Sequence, residues 1–245
     1  MPRLKVTLSY DGTAFSGFQI QPNGRTVQGE IERCLSKMHK GQSVRVTPSG
    51  RTDAGVHAVG QVIHFDSPLV IPEINWTKAL NALLPDDMRA VKAEIVPADF
   101  HARYDVKRKE YRYRLLPRET PDLFRRHYTW HVPEALDLDA MRRGAAYLVG
   151  THDFSSFCAA GSNVKNKVRT IYELEILRDA DEVVVRVVGN GFLYNMVRII
   201  VGNLLEVGKG HVPPEEIRAI LEARDRRRAF ETAPAHGLYL WRVDY

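Results

Sequence analysis

Residues 4–10 alternate apolar and polar side chains, the period of a strand with one buried face. The stretch 11–25 breaks that rhythm; rich in Gly, Gln and Asn and carrying Phe15 and Phe18, it reads as a long loop. Val27, Ile31, Cys34, Leu35 and Met38 then recur at helical spacing behind Thr26, a residue suited to capping a helix, and Gly41 closes the element. Two alternating runs, 43–47 and 60–65, predict strands on either side of a short loop. Pro72 opens a second helix running to about Leu84, with Ile74, Ala79, Leu80 and Leu83 on its core face, and Pro85 ends it. Residues 91–96 make a further strand. The order is β-α-β-β-α-β, the ferredoxin-like pattern shared by many RNA-binding modules.

The second half repeats this order without obvious sequence identity. Residues 109–116 alternate as a strand, a Pro-rich excursion containing 128–132 follows, and Leu138, Met141, Ala145 and Leu148 mark a helix ended by Gly150. Strands are predicted at 168–177 and 182–188, joined by an Asp-Ala-Asp turn. After Asn190 and Gly191 the apolar run 192–207 reads as a buried helix, Pro213 and Pro214 open another, and 238–243 returns as the last strand. The expected architecture is α+β: two pseudo-symmetric ferredoxin-like (RRM-like) βαββαβ halves, 1–106 and 107–245, with a cleft between them. The linker near Val106 is not Gly/Ser-rich, so the halves are expected to form one rigid body.

Charge changes the picture more through its distribution than its total. The chain of 245 residues carries a formal net charge of +5, enough to favour an anionic partner without requiring one. Arg103, Lys107, Arg108, Lys109, Arg112, Arg114 and Arg118 cluster mid-chain, and Arg224, Arg226, Arg227 and Arg228 cluster near the end; each run is either a track for phosphates or a solvated face. Of the two cysteines, Cys34 falls on the apolar face of the first helix, as a small buried hydrophobe would. No CxxC, HExxH or close His/Cys cluster suggests a metal site. Neither a signal peptide nor an apolar span of membrane length is evident, so a reducing cytoplasm is the expected setting.

The candidate chemistry lies in the loop at 49–58, SGRTDAGVHA. Gly50 and Gly55 bracket Asp53 and suit a shaped, exposed loop through positive φ or close backbone approach. Asp53 is either a turn aspartate bonding its own backbone or a functional carboxylate, held ionised with help from Arg51. His57, entering a strand, reads as a satisfied polar residue. Tyr111 and Tyr113 share one face of their strand with Leu115, while Arg112 and Arg114 occupy the other. Such an aromatic stripe forms core or stacks on bases. Arg198 interrupts an apolar helix and needs a carboxylate.

The segment GRTDAGVHA at 50–58 resembles the active-site motif of the TruA family of tRNA pseudouridine synthases. The resemblance extends through SYDGT at 9–13, KEYRY at 109–113, GFLYNMVR at 191–198 and GLYL at 237–240, with departures chiefly at Gly191, Tyr194 and Asn195. It implies that Asp53 is catalytic, as nucleophile or as base toward the sugar. It further implies that Arg51 lies beside the extruded nucleotide, that Tyr111 contacts substrate, that Arg198 pairs with Asp53 in preference to Glu206 or Asp153, and that Leu238 lines the uracil pocket. The implied substrate is uridine 38, 39 or 40 in the anticodon stem-loop of tRNA, isomerised without metal or cofactor by a homodimer whose tRNA touches both subunits. The competing expectations are a tandem RNA-binding module without catalysis and a nucleosidase cutting the same glycosidic bond with water.

Overall fold

A computed structural model describes residues 1–161 and 164–245. In chain order its regular elements are β1 (Arg3–Tyr10), α1 (Val27–Met38), β2 (Thr47–Pro48), β3 (His57–Asp66), α2 (Glu73–Asn81), β4 (Met88–Val96), β5 (Arg108–Pro117), β6 (Trp130–Val132), α3 (Leu138–Ala146), β7 (Gly150–Asp153), β8 (Val168–Asp179), β9 (Glu182–Gly189), α4 (Met196–Gly208), α5 (Glu216–Ala223) and β10 (Leu238–Asp244). The fold is α+β. Two compact units share the chain: Met1–Lys107 with Tyr239–Tyr245, and Arg108–Leu238.

In the first unit β1 is central, antiparallel to β3 on one side and to β4 on the other, with Val6 opposite Ile63 and Ala93. Its alternation resolves as expected: Leu4, Val6, Leu8 and Tyr10 are buried. Thr26 caps α1 by accepting from the Gly29 N–H, and the helix buries Val27, Ile31, Cys34 and Leu35. The Cys34 thiol sits 3.7 Å from the Leu80 carbonyl of α2, and burial pushes its pKa up to about 11, as for an inert packing residue.

Four expectations for this half need correction. The strand foreseen at 43–47 is reduced to Thr47 and Pro48, which pair with His64 and Ile63; alternation over 43–46 gains no ladder. The strand foreseen at 91–96 begins at Met88. Helix α2 ends at Asn81, short of Leu83, which is 41% exposed; on the helix itself Ile74 is 79% exposed, whereas Trp76 is 1% exposed and meets the Phe65 ring edge-on at 5.8 Å. Leu80 is buried as expected, but Ile74 is not, because the indole, the largest apolar group there, sets the helix rotation. Finally, β10, expected simply as the last strand of the second half, supplies Tyr239 and Leu240 as parallel partners of His57 and Ala58 in β3.

The second unit orders its strands β5-β9-β8-β7, each antiparallel to the next, with β6 added in parallel to β5. Asp137 caps α3 by accepting from the Ala140 N–H. Gly150 does not end that helix; it opens β7, a short strand the pattern left unmarked. The apolar run at 192–207 begins its helix four residues late, because Asn195 takes a left-handed φ of 58° and the regular turns start at Met196. Within α4, Gly202 permits close approach: a Cβ there would lie 2.1 Å from the Glu231 carbonyl oxygen.

The two residues of α2 should separate cleanly. Trp76→Ala is expected to cost about 3–5 kcal/mol in urea unfolding, as for other buried aromatics, while Ile74→Ala should stay within about 0.5 kcal/mol. Equal losses would contradict the helix orientation.

Candidate active site

Asp53 lies half-buried in the loop between β2 and β3, and its backbone carbonyl accepts from the Val56 N–H at 3.1 Å. Behind the loop is a buried hydrogen-bond web centred on Gln61. The Gln61 side-chain oxygen accepts from the Ser49 hydroxyl (2.7 Å) and the Val62 N–H (3.1 Å). Its amide donates to the Gly50 carbonyl (2.9 Å) and the Tyr10 hydroxyl oxygen (3.4 Å). Tyr10 in turn lies 2.8 Å from the Thr52 hydroxyl, and burial pushes its phenol up to about 12, so it remains neutral. Ser49 and Gln61 are fully buried and Thr52 nearly so, so both residues preceding Arg51 and the one preceding Asp53 are tied to the sheet.

A second layer reaches the loop from 11–25. The Phe18 N–H donates to the Thr52 carbonyl and the Gly55 N–H to the Phe15 carbonyl. Gly12 is required where it stands, since a Cβ would come within 2.1 Å of the Val56 carbonyl oxygen. Gly55 has a φ of 77°, as the bracketing-glycine reading anticipated; Gly50 is not in that region and contributes its carbonyl instead. This layer is latched by Arg25, whose guanidinium makes two bonds to Asp87 (2.5 and 2.9 Å), one to Glu30 (2.8 Å), and lies 4.3 Å over the Phe15 ring. His57 is structural, as expected: buried, its Nδ1 accepts from the Gly12 N–H at 2.9 Å, and its ring stacks on Tyr239 at 4.7 Å.

Arg51, exposed, and Asp53 thus belong to the first unit; Tyr111, Arg198 and Leu238 belong to the second. Tyr111 is 9% exposed on β5 and meets Phe192 edge-on at 5.1 Å. Tyr113, two residues on, is fully buried and donates to the Pro234 carbonyl at 2.7 Å; burial holds its phenol well above the usual range. Arg198 Nε donates to the Ala233 carbonyl (2.7 Å) and Nη1 to the Asn195 side-chain oxygen (3.0 Å), while Asn203 accepts from the Phe230 N–H (3.1 Å). Helix α4 therefore holds the segment 230–238 that leads into Leu238, itself 6% exposed. Glu206 accepts from His211, and Asp153 accepts from Ser155.

The basic runs are more neutralised than their sequence suggests. Arg112 meets Glu110, Arg114 meets Glu182, Arg118 meets Asp122, Arg227 meets Asp225 and Arg228 meets Glu216, at 2.5 to 3.9 Å. Among the described residues, no group of three or more His, Cys, Asp or Glu side chains is placed to hold a metal, and no helix is long and apolar enough to cross a membrane.

A family model described as tRNA pseudouridine synthase matches residues 7–105 and 145–245. The tRNA pseudouridine synthase A of Anoxybacillus flavithermus is 60% identical over 245 residues, spanning 100% of this chain and 99% of its own, and that of Bacillus subtilis is 55% identical over 244 residues, spanning 99% of each. Among solved structures, a chain of the Cbf5-Nop10-Gar1 complex aligns with 82% of this chain and 45% of its own, at 17% identity and a TM-score of 0.36. The chain belongs to the tRNA pseudouridine synthase family. It is an RNA-modifying isomerase.

Sequence reasoning missed Tyr10, Gln61 and Arg25, whose partners lie tens of residues away. Gln61→Leu keeps the volume but leaves the Ser49 hydroxyl, the Gly50 carbonyl and the Tyr10 hydroxyl short of a partner. It should cost about 3 kcal/mol in denaturant unfolding and lower kcat more than it raises KM, because the loop loses its backing. A variant as stable and active as the parent would show that the web does not hold the loop.

Proposed function

We propose that this protein isomerises uridine to pseudouridine at positions 38–40 of the tRNA anticodon stem-loop, with Asp53 as the catalytic carboxylate and Arg51, Tyr111, Arg198 and Leu238 as substrate contacts. The observation that carries the assignment is the half-buried Asp53 carboxylate on a loop fastened from behind by Gln61 and from the side by 12–18. A residue whose support is rigid while its side chain reaches the surface is preorganised for chemistry. The relatives' names supply the substrate class.

The reaction breaks the bond between N1 of uracil and C1′ of ribose, turns the base and joins C5 to C1′; C5 gives up a proton and N1 regains one, so nothing is added or lost. Asp53 acts on the sugar side of that exchange. Target uridines in or beside a stem must leave the stack, at a cost of about a few kcal/mol. Arg51, exposed beside Asp53, is placed to meet the strand from which the base departs. Tyr111 offers the base both a ring and a hydroxyl, and Leu238 an apolar wall. The reading includes a homodimer in which each tRNA touches both subunits, working in the cytoplasm without metal or cofactor.

Tritium release from C5-labelled uridine in tRNA tests the reaction: a binding module releases none, and a nucleosidase leaves free uracil and an abasic site. Asp53→Asn should abolish release while keeping tRNA affinity within about tenfold, because phosphate contacts dominate binding. Pseudouridine formation by that variant would remove Asp53 from the chemistry. Tyr111→Phe is expected to slow single turnover at saturating enzyme by about a hundredfold, the contribution of a general acid or base; a rate within about threefold of the parent would confine Tyr111 to stacking, which is worth roughly 1–3 kcal/mol.

A further inference from the structure

Beside the Asp53 loop the first unit carries a pocket of 230 Å³ lined by Arg51 and Gly50 of the loop, by Thr47 and Pro48 of β2, and by Gln19 and Arg103 from elsewhere in the unit. Two arginines from distant parts of the chain line this concavity, and no aspartate or glutamate does. Among the described residues neither Arg51 nor Arg103 makes a side-chain hydrogen bond or an ion pair. This sets them apart from Arg112, Arg114, Arg118, Arg227 and Arg228, each met by an acid. Like charges brought together without a counterion repel unless an anion from outside joins them.

Arg103 is also carried on a fixed turn. The N–H groups of Arg103 and Tyr104 donate to His101 Nδ1 at 3.1 and 3.2 Å, and the His101 N–H donates to Asp105 at 2.7 Å. The preceding residue is clamped on both sides: the Ala102 N–H donates to His64 Nδ1 at 3.1 Å, and the Ala102 carbonyl accepts from the Tyr245 hydroxyl at 2.7 Å. His64 is buried, which lowers its pKa to about 4 and keeps Nδ1 an acceptor at neutral pH. A turn this well tied holds the base of Arg103 in place whether or not RNA is present, the preorganisation expected of a binding residue.

We propose that this pocket holds a backbone phosphate of the RNA strand adjoining the target uridine, gripped by Arg51 and Arg103 together, with Gln19 as a further donor. A guanidinium pair matches a phosphodiester's two free oxygens, and Arg51 stands two residues from Asp53, so the bound phosphate belongs to the strand entering or leaving the target nucleotide. The inference rests on the RNA-modifying reading above and adds Arg103 and a defined anion subsite to it.

The test uses the full chain with Arg103→Gln, Arg103→Lys and, as a control for net charge, Arg143→Gln, an exposed arginine of the second unit. Arg103→Gln should weaken tRNA binding about tenfold, as loss of one charge-assisted contact does, and flatten the slope of log K against log salt by about 0.7 to 0.9. Arg103→Lys should recover most of the affinity, and Arg143→Gln should leave the slope unchanged. Anticodon stem-loops bearing one neutral methylphosphonate at a time should reveal one linkage beside the target to which the parent is sensitive and Arg103→Gln is not. Inorganic phosphate should compete only weakly, marking the site as one for phosphate within RNA; saturating competition at low concentration would make it a free-phosphate site and overturn the proposal. An unchanged salt slope, or a methylphosphonate profile identical to the parent's, would overturn it as well. Failure of the parent to release tritium would instead sink the reaction assigned above, since the binding measurements stand without turnover.

Discussion

One buried glutamine side chain fixes the geometry on which the rest depends. Gln61 uses all four of its hydrogen-bonding positions: one takes the N–H of Val62 within β3, and the other three join β3 to Ser49 and Gly50 of the Asp53 loop and to Tyr10 of β1. Burying an amide is costly unless it is fully paired, and here the pairing is also what stops the loop from moving. The loop's own apolar anchors are small, Val56 and Ala58. Its order is borrowed from polar bonds to the sheet and from backbone contacts with 12–18, which the Arg25 latch in turn secures.

The second unit solves a related problem by other means. Helix α4 is almost wholly apolar, yet it includes Arg198 and Asn203, and the Arg198 Nε and the Asn203 side-chain oxygen both bond to the backbone of 230–233. Gly202 lets that backbone lie directly against the helix. A segment without regular structure is thereby delivered to Leu238 in a defined path, and Tyr113 adds a further bond from β5 to Pro234. In both units, then, the residues nearest the proposed chemistry are positioned by side chains bonding to main chain, a short-range and directional form of support.

Local signals explain what could be read from the chain alone. Helix α1 was legible because Thr26, the apolar spacing and Gly41 all agree, and β1, β5, β8 and β9 because alternation and turn residues coincide. Where local signals were weak, tertiary contacts decided: 43–46 alternates without finding a partner strand, and α2 turns to bury Trp76 at the expense of Ile74. Asp53 was conspicuous through its motif, and Tyr113 through its strand face. Tyr10, Gln61 and Arg103 were not, because a glutamine in a strand or an arginine in a turn has no local signature; only the spatial meeting of distant segments gives these residues their roles.

The return of the chain's last residues to the first unit also bears on how the protein is made. Strand β3, which follows directly from the Asp53 loop, receives Tyr239 and Leu240 as a parallel neighbour, and the Tyr239 ring covers His57. Gly60 lies so close to the Trp241 carbonyl that a Cβ would fall within 2.5 Å of it. During synthesis the ribosome releases residues 1–107 long before 239–245 exist, so the nascent first unit waits with the edge of β3 away from β1 uncovered at His57 and Ala58 while the whole second unit emerges. A contact spanning nearly the entire sequence is slow to form and leaves a sheet edge open meanwhile. The loop that carries Asp53 therefore gains the strand beside it only after the whole of the second unit has been made.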